Sequence, residues 1–255
     1  MGRVIAVANQ KGGVGKTTTA VNLAAAFVRL GKKALLIDID PQGNATVALG
    51  LEKEDLSKTV YDVLLSECKV VDAIERDEVS GVHVLGANGD LTAAEVTLTE
   101  DENGTGRLRK AIKKVRKKYD VTLIDCPPTL NMLTLNALSA ADGLLIPVQC
   151  EYFALEGVSA LMDTVEAVQE NLNPELFIDG LLRTMHDRRN NLANDVSNEL
   201  VAHFGMKVLQ TIIPRNVRLA EAPSYGESIL EYDASSSGAT AYLALANELI
   251  RKHKI

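Results

Sequence analysis

Residues 9 to 18 read Asn-Gln-Lys-Gly-Gly-Val-Gly-Lys-Thr-Thr and follow the apolar run Val4-Ile5-Ala6-Val7-Ala8. A buried strand that enters a glycine-rich turn and then a helix is the geometry that cradles a triphosphate. Backbone N–H groups of the turn and the helix N-terminus supply partial positive charge, and a lysine completes the cradle. By position, Lys16 reaches the β- and γ-phosphates and the Thr17 hydroxyl ligates Mg²⁺. The strict pattern wants glycine at position 10; this chain has Gln10, with a second lysine, Lys11, ahead of the paired glycines Gly12 and Gly13. Val14 and Gly15 complete the loop before Lys16. Three glycines and two lysines in six residues raise unfolded-state entropy, which packing a helix on a strand does not require.

Apolar runs and helical patterns alternate along the rest of the chain. Strands are predicted at 4–8, 34–38, 82–85, 121–125, 144–148, 177–182 and 211–213. Helices are predicted at 17–30, 106–119, 133–140, 154–170, 194–204 and 238–252. Residues 42–105 are less regular, with short helical turns near 61–65 and 70–74. Such alternation implies an α/β fold, a doubly wound and mostly parallel sheet flanked by helices, with ligands at the carboxyl ends of the strands. At 255 residues the chain is most economically one domain, 1–255, although two small ones are possible.

The second strand ends Ile37-Asp38-Ile39-Asp40-Pro41-Gln42-Gly43-Asn44, and the strand at 121–125 closes apolar residues on Asp125. Carboxylates at these ends suit Mg²⁺, which keeps several waters that need acceptors. An isolated aspartate here would be a cap or a turn former; three at two strand ends beside a phosphate loop form a constellation.

These blocks identify the chain as resembling the deviant P-loop ATPases of the ParA/MinD group, specifically the short Soj-like partition ATPases. The resemblance is also carried by Asp125-Cys126-Pro127-Pro128, by residues 147–157 and by Ile213-Pro214-Arg215-Asn216-Val217-Arg218-Leu219-Ala220-Glu221-Ala222-Pro223. It implies a P-loop NTPase fold, slow hydrolysis of ATP with Mg²⁺, and a homodimer in the ATP-bound state. Lys11 is then the signature lysine that crosses to the partner's phosphates, and Gly12 lets the two backbones approach. Asp40 orients the attacking water, Asp38 and Asp125 hold Mg²⁺ through waters, and Thr18 binds the α-phosphate. Pro214 and Asn216 match adenine-contacting positions, and no Asn-Lys-x-Asp guanine motif occurs. The implied partners are non-specific double-stranded DNA and a ParB-type centromere-binding protein, with a cytoplasmic, nucleoid-associated location. The phosphate loop begins near residue 9, so the N-terminal DNA-reading extension of some plasmid relatives is expected to be absent.

The resemblance places DNA contacts on Arg218 and Arg215 and, less directly, on Arg188 and Arg189. Phosphate contact needs charge and reach, not base-edge geometry; a lone surface arginine can equally be solvated or ion-paired. Some relatives carry a basic residue near 232–237, and this chain has none there. The most basic stretch, 107–118, has Leu108, Ile112, Val115 and Tyr119 at helical spacing. One packed face and a wet, solubilising remainder are expected, with a second nucleic-acid contact as the alternative. Glu151 either pairs with an interfacial lysine or is a solvated loop carboxylate.

Net charge of −7 argues against a protein coated in nucleic acid but leaves a local basic patch open. No apolar run reaches membrane-spanning length and none resembles a signal peptide. Met1-Gly2 lacks the Ser or Thr at position 6 that myristoylation expects. Cys68, Cys126 and Cys150 lack metal-ligand spacing, and no partner with a matching context supports Cys126 as a ligand of a shared cluster. A MinD-like membrane-cycling ATPase shares the same ATP site but would end in a basic amphipathic helix; here 238–252 reads as a packed one, so no stable membrane association is expected. An amide-forming ligase of the group would need a further substrate site that the sequence does not display.

Overall fold

Eight strands form one sheet in the order β3-β4-β2-β5-β1-β6-β7-β8. The strands are β1 Arg3–Val7, β2 Ala34–Asp38, β3 Ile74–Arg76, β4 His83–Leu85, β5 Val121–Asp125, β6 Gly143–Gln149, β7 Phe177–His186 and β8 Val208–Pro214. All neighbours run parallel except β3, which pairs antiparallel with β4 at the edge. This computed structural model describes residues 2–255.

Central strands are apolar on both faces because helices cover both. Val4 and Ala6 of β1 pack into the core on one face, Ile5 and Val7 into the core on the other. The same alternation splits Leu35 and Ile37 from Ala34 and Leu36 in β2. The Lys16–Arg29 and Ser237–His253 helices close one layer, with Tyr242 fully buried between helix and sheet. The Leu91–Glu100, Met132–Ala140 and Ala154–Asn171 helices close the other. Registers Val7↔Asp125 and Asp38↔Asp125 bring the ends of β1, β5 and β2 level. Three strand ends therefore open onto one site.

Two expectations need correction. Residues 106–119 do not form one helix: an α-helix covers Arg107–Ile112 and a separate 3-10 turn covers Arg116–Lys118. Arg109–Lys113, Lys110–Lys114, Lys113–Lys117 and Lys114–Lys118 would all be like-charge i,i+4 neighbours, which repel. The break lets Arg116 donate to the Gly2 carbonyl and pair with Asp142. Second, a helix at Leu91–Glu100 lies in the stretch read as irregular. Only Leu91, Ala94 and Leu98 are buried in it, and threonines and Val96 thin its apolar stripe.

Candidate functional site

The loop after β1 is fixed by its own backbone. Gly13 and Gly15 adopt φ of 73° and 85°, a left-handed region that side chains disfavour. Gly15 caps the helix that opens with Lys16, so the helix N-terminus faces the loop. Asn9 anchors the entry: its Oδ1 accepts from the Lys11 N–H at 3.0 Å and its Nδ2 donates to the Pro147 carbonyl at 2.8 Å. The Thr184 hydroxyl donates to the Val14 carbonyl at 2.8 Å, tying the loop to β7.

Lys16 is 8% exposed, and its Nζ donates to the Lys11 carbonyl at 3.2 Å. Burial lowers its pKa, opposed by Asp125, Cys126 and Asp40. The ammonium is thus held among carboxylates without a direct carboxylate pair, leaving donors for an anion.

The two strand-end aspartates differ. Asp38 is fully buried yet satisfied: Oδ2 accepts from the Thr46 N–H and hydroxyl, and Oδ1 from the Asp40 N–H, at 2.8–3.1 Å. Burial, opposed by these bonds, pushes its pKa up to about 6. Asp125 is also fully buried, and neither of its oxygens has a hydrogen-bond partner among the described residues. Burial and the facing Asp38 raise its pKa well above the carboxylate range, while Thr17 and Lys16 pull it back. A buried carboxylate with two free oxygens beside a phosphate loop fits a hard cation that arrives with its nucleotide. No group of three or more His, Cys, Asp or Glu side chains among the described residues could hold a metal alone. Asp40 is 9% exposed and accepts from the Gln42 N–H, so its carboxylate is held at the mouth of the site.

Two clefts meet at Gly15. One, of about 620 Å³, is lined by Gly12, Gly13, Lys16, Thr17, Thr18 and Asp40, and also by Thr92, Glu95 and Asn131. The other, of about 280 Å³, is mostly apolar and holds Pro214, Asn216, Thr184, Met185 and Tyr242. Phosphate-site and adenine-site candidates therefore fall in adjoining clefts, as a nucleotide requires. The Asn216 side chain is already engaged, accepting from the Arg218 N–H and donating to Ser237. Met185, at φ 49°, lines both clefts.

Lys11 and Gly12 sit at the rim. Lys11 Nζ lies 2.6 Å from Glu151 Oε2 of the same chain, both side chains about half exposed at 46% and 47%. A Cβ on Gly12 would meet nothing within 4 Å.

The four arginine candidates separate. Arg188, Arg189 and Arg215 line a groove of about 870 Å³ that also borders Pro214. Arg189 is bound by Asp187 at 2.8 Å. Arg218 lies outside that groove, paired with Glu221 at 2.8 Å and near Asp233 at 3.7 Å. Cys126 is buried in the core and its thiol is pushed up by burial, which suits a small hydrophobe rather than a cluster ligand.

The sequence reading missed Asn9, Thr184, Met185, Glu95 and Asn131. Only Asn9 had a local signal, lying just before the loop; Thr184 and Met185 arrive through the sheet from about 170 residues away, and Glu95 and Asn131 from the Leu91–Glu100 helix and the cap of the Met132–Ala140 helix.

Among known proteins, a family of AAA domains matches residues 2–178. The chain is 51% identical over 249 residues to the sporulation initiation inhibitor protein Soj of Bacillus subtilis, covering 98% of each. It is 50% identical over 254 residues to the chromosome partitioning protein ParA of Caulobacter vibrioides, covering 99% of this chain and 95% of that one. Cobyrinic acid a,c-diamide synthase from Mycobacterium smegmatis, solved with bound ADP and magnesium, superposes with a TM-score of 0.88. That match has 38% identity and covers 100% of this chain and 96% of the other.

Proposed function

Since the chain belongs to the ParA/Soj/MinD family of deviant P-loop ATPases, in its partition branch, we propose that it is an ATP-dependent DNA-partition switch. The ATP-bound form is a face-to-face homodimer that holds double-stranded DNA without reading sequence and so associates with the nucleoid. A ParB-type centromere-binding partner stimulates slow hydrolysis and release, segregating or positioning a chromosome origin or plasmid.

The protein is a P-loop ATPase that binds ATP and Mg²⁺. In the proposed division of labour, Lys16, Thr18 and the loop amides hold the phosphates, while Pro214 and Asn216 border adenine. Thr17 directly, and Asp38 and Asp125 through waters, would hold Mg²⁺, with Asp38 also shaping the turn behind them; bound there, the cation would neutralise phosphate charge. Asp40, kept at the mouth by the Gln42 amide, orients and polarises the attacking water. Lys11 adds a cation from the partner subunit, as an arginine finger does.

One observation carries the dimer. The Lys11 backbone is engaged by Asn9 and Lys16, but the Lys11 side chain and the open face of Gly12 have almost no work inside their own protomer. Gly12 could hold a side chain freely, and the half-exposed Lys11–Glu151 pair is worth less than about 1 kcal/mol. Facing backbones and a second triphosphate give both residues a purpose.

The test is co-sedimentation with DNA of wild type and Asp40→Ala, with ATP, ADP or no nucleotide, across salt. Pelleting that is strongest in ATP and persists in Asp40→Ala is expected; normal turnover in that variant would remove its catalytic role. The Ser237–His253 helix buries Tyr242, Leu245, Ala246 and Leu249 against the sheet, so this helix keeps no free apolar face for a membrane surface. No helix among the described residues is long and apolar enough to cross a membrane. Liposome sedimentation with ATP checks this directly. For the amide-forming alternative, incubation with cobyrinic acid, an amide donor and ATP should give no amide product.

A further inference from the structure

Cations distant in sequence converge on a face that shares no lining residue with either nucleotide cleft. Two grooves flank the segment made of the Arg107–Ile112 helix and the Arg116–Lys118 turn. The first, of about 390 Å³, carries Lys58, Lys69, Lys110 and Lys114. The second, of about 610 Å³, carries Lys33, Arg76 and Lys118 and has no carboxylate in its lining. It opens beside Ala34 and His83, which begin β2 and β4, the opposite end of the sheet from Asp38. Lys113 and Lys117 lie exposed on the same segment, outside the lining of either groove.

These cations are uncommitted. None of Lys69, Arg76, Lys110, Lys113, Lys114 or Lys117 joins an ion pair among the described residues. Arg107 and Arg116 pair with Asp101 and Asp142, which brace the segment while its lysines stay free. Glu67 and Asp72 share the first groove but are outnumbered by its cations. By contrast, Arg189 and Arg218 on the opposite candidate surface are already held by carboxylates. Solubility alone is a weak reason for such a concentration in a chain of net charge −7, which already repels its copies.

The chemistry favours a duplex backbone. Phosphate contact needs charge and reach, which spaced lysines supply. Single strands also want exposed rings for stacking. Here Tyr119 and His83 are packed edge to face and hydrogen-bonded to each other at 2.9 Å, so neither ring is offered. We propose that this face is a second, nucleotide-independent contact for the phosphate backbone of double-stranded DNA. It needs neither the dimer nor Arg218, so it stands or falls separately from the switch.

The experiment measures fluorescence anisotropy of a short duplex with full-length protein in ADP and in ATP, across a salt series. The variants are the triple change Lys113→Glu, Lys114→Glu, Lys117→Glu and the milder triple change to Gln, each checked by circular dichroism and melting. In ADP, wild type should bind weakly, and the Gln variant should lower the log–log salt slope by about 2–3. In ATP the charge-reversed protein should bind about tenfold more weakly. Unchanged affinity and slope in a folded Gln variant would overturn the proposal. So would an Arg218→Glu protein that loses all DNA binding in ADP. If polyglutamate competes with the duplex charge for charge, the face is a site for an acidic protein and the DNA assignment falls. Loss of ATP-dependent dimerisation in wild type would instead strike the switch and leave this result readable.

Discussion

Two sets of charges in this molecule are handled in opposite ways. At the carboxyl ends of β1, β2 and β5, Lys16, Asp38 and Asp125 are buried within one site, and Asp125 has no hydrogen-bond partner among the described residues. On the segments after β7 and β8, Arg188, Arg189, Arg215 and Arg218 are exposed, and two of them are paired with neighbouring carboxylates. The first set is destabilising until its ligand arrives, because buried like charges repel and lack solvent. The second is neutral to folding and free to exchange partners. A prepared site and an adjustable surface should respond to substitution on different scales.

The largest response belongs to Lys16. Lys16→Ala removes the one buried ammonium aimed into the phosphate cleft, and no neighbouring cation replaces it. ATP affinity by calorimetry should fall by at least about 100-fold, near 2.7 kcal/mol, with turnover abolished. An effect below tenfold would mean that the loop amides alone hold the phosphates.

Asp125→Asn tests whether the prepared site is destabilising. In magnesium-free, nucleotide-free protein it removes a carboxyl whose ionisation is opposed by burial and by Asp38, so the melting temperature should rise by a few degrees at the alkaline end of the range, where the wild-type carboxyl is forced to ionise. The extra stabilisation that magnesium adds to ADP should shrink in the same variant. The pH dependence follows in sign. Asp38, with a pKa of about 6, holds protons in the folded state that it has released in the unfolded state at pH 4–6. The Asp38 contribution to stability without metal should therefore fall as pH rises through that window, and ionisation of Asp125 should continue the fall above it. Melting curves in a chelator check this, and the fall should be shallower in Asp125→Asn.

How much of this was legible follows the same division. β2 and β5 are read to the residue because a central parallel strand, buried on both faces, is an uninterrupted apolar run. β3 is invisible: Ile74-Glu75-Arg76 is an edge strand with two exposed polar residues and no run. The phosphate loop and the three aspartates are legible because each is a local motif. Thr184 is not, since its bond to Val14 spans 170 residues and depends on β7 lying two strands from β1. The pairing of Arg189 and Arg218 is likewise a matter of where side chains fall, which charge counting cannot give.

Thr184→Val asks how far the prepared site extends. Losing the hydroxyl leaves the Val14 carbonyl short of one donor and loosens the loop from β7. About 1 kcal/mol, a fivefold weaker ATP affinity, is expected by calorimetry, with the melting temperature of the apo protein little changed. No change in affinity would confine the site to the loop itself.

The smallest response should come from the adjustable surface. Arg218 is exposed and already shares its guanidinium with Glu221 and, more distantly, Asp233. A DNA phosphate must compete with those carboxylates, so the net gain per contact is less than for a free arginine. Arg218→Ala should weaken duplex binding in ATP about threefold to tenfold and lower the salt slope by about one. Glu221→Gln should do the reverse, releasing the arginine and tightening binding by a smaller factor. The pair of variants separates the two accounts: if both weaken binding equally, the residues act by shaping the Val217–Glu221 helix. If they move affinity in opposite directions, the carboxylate is holding a phosphate ligand in reserve.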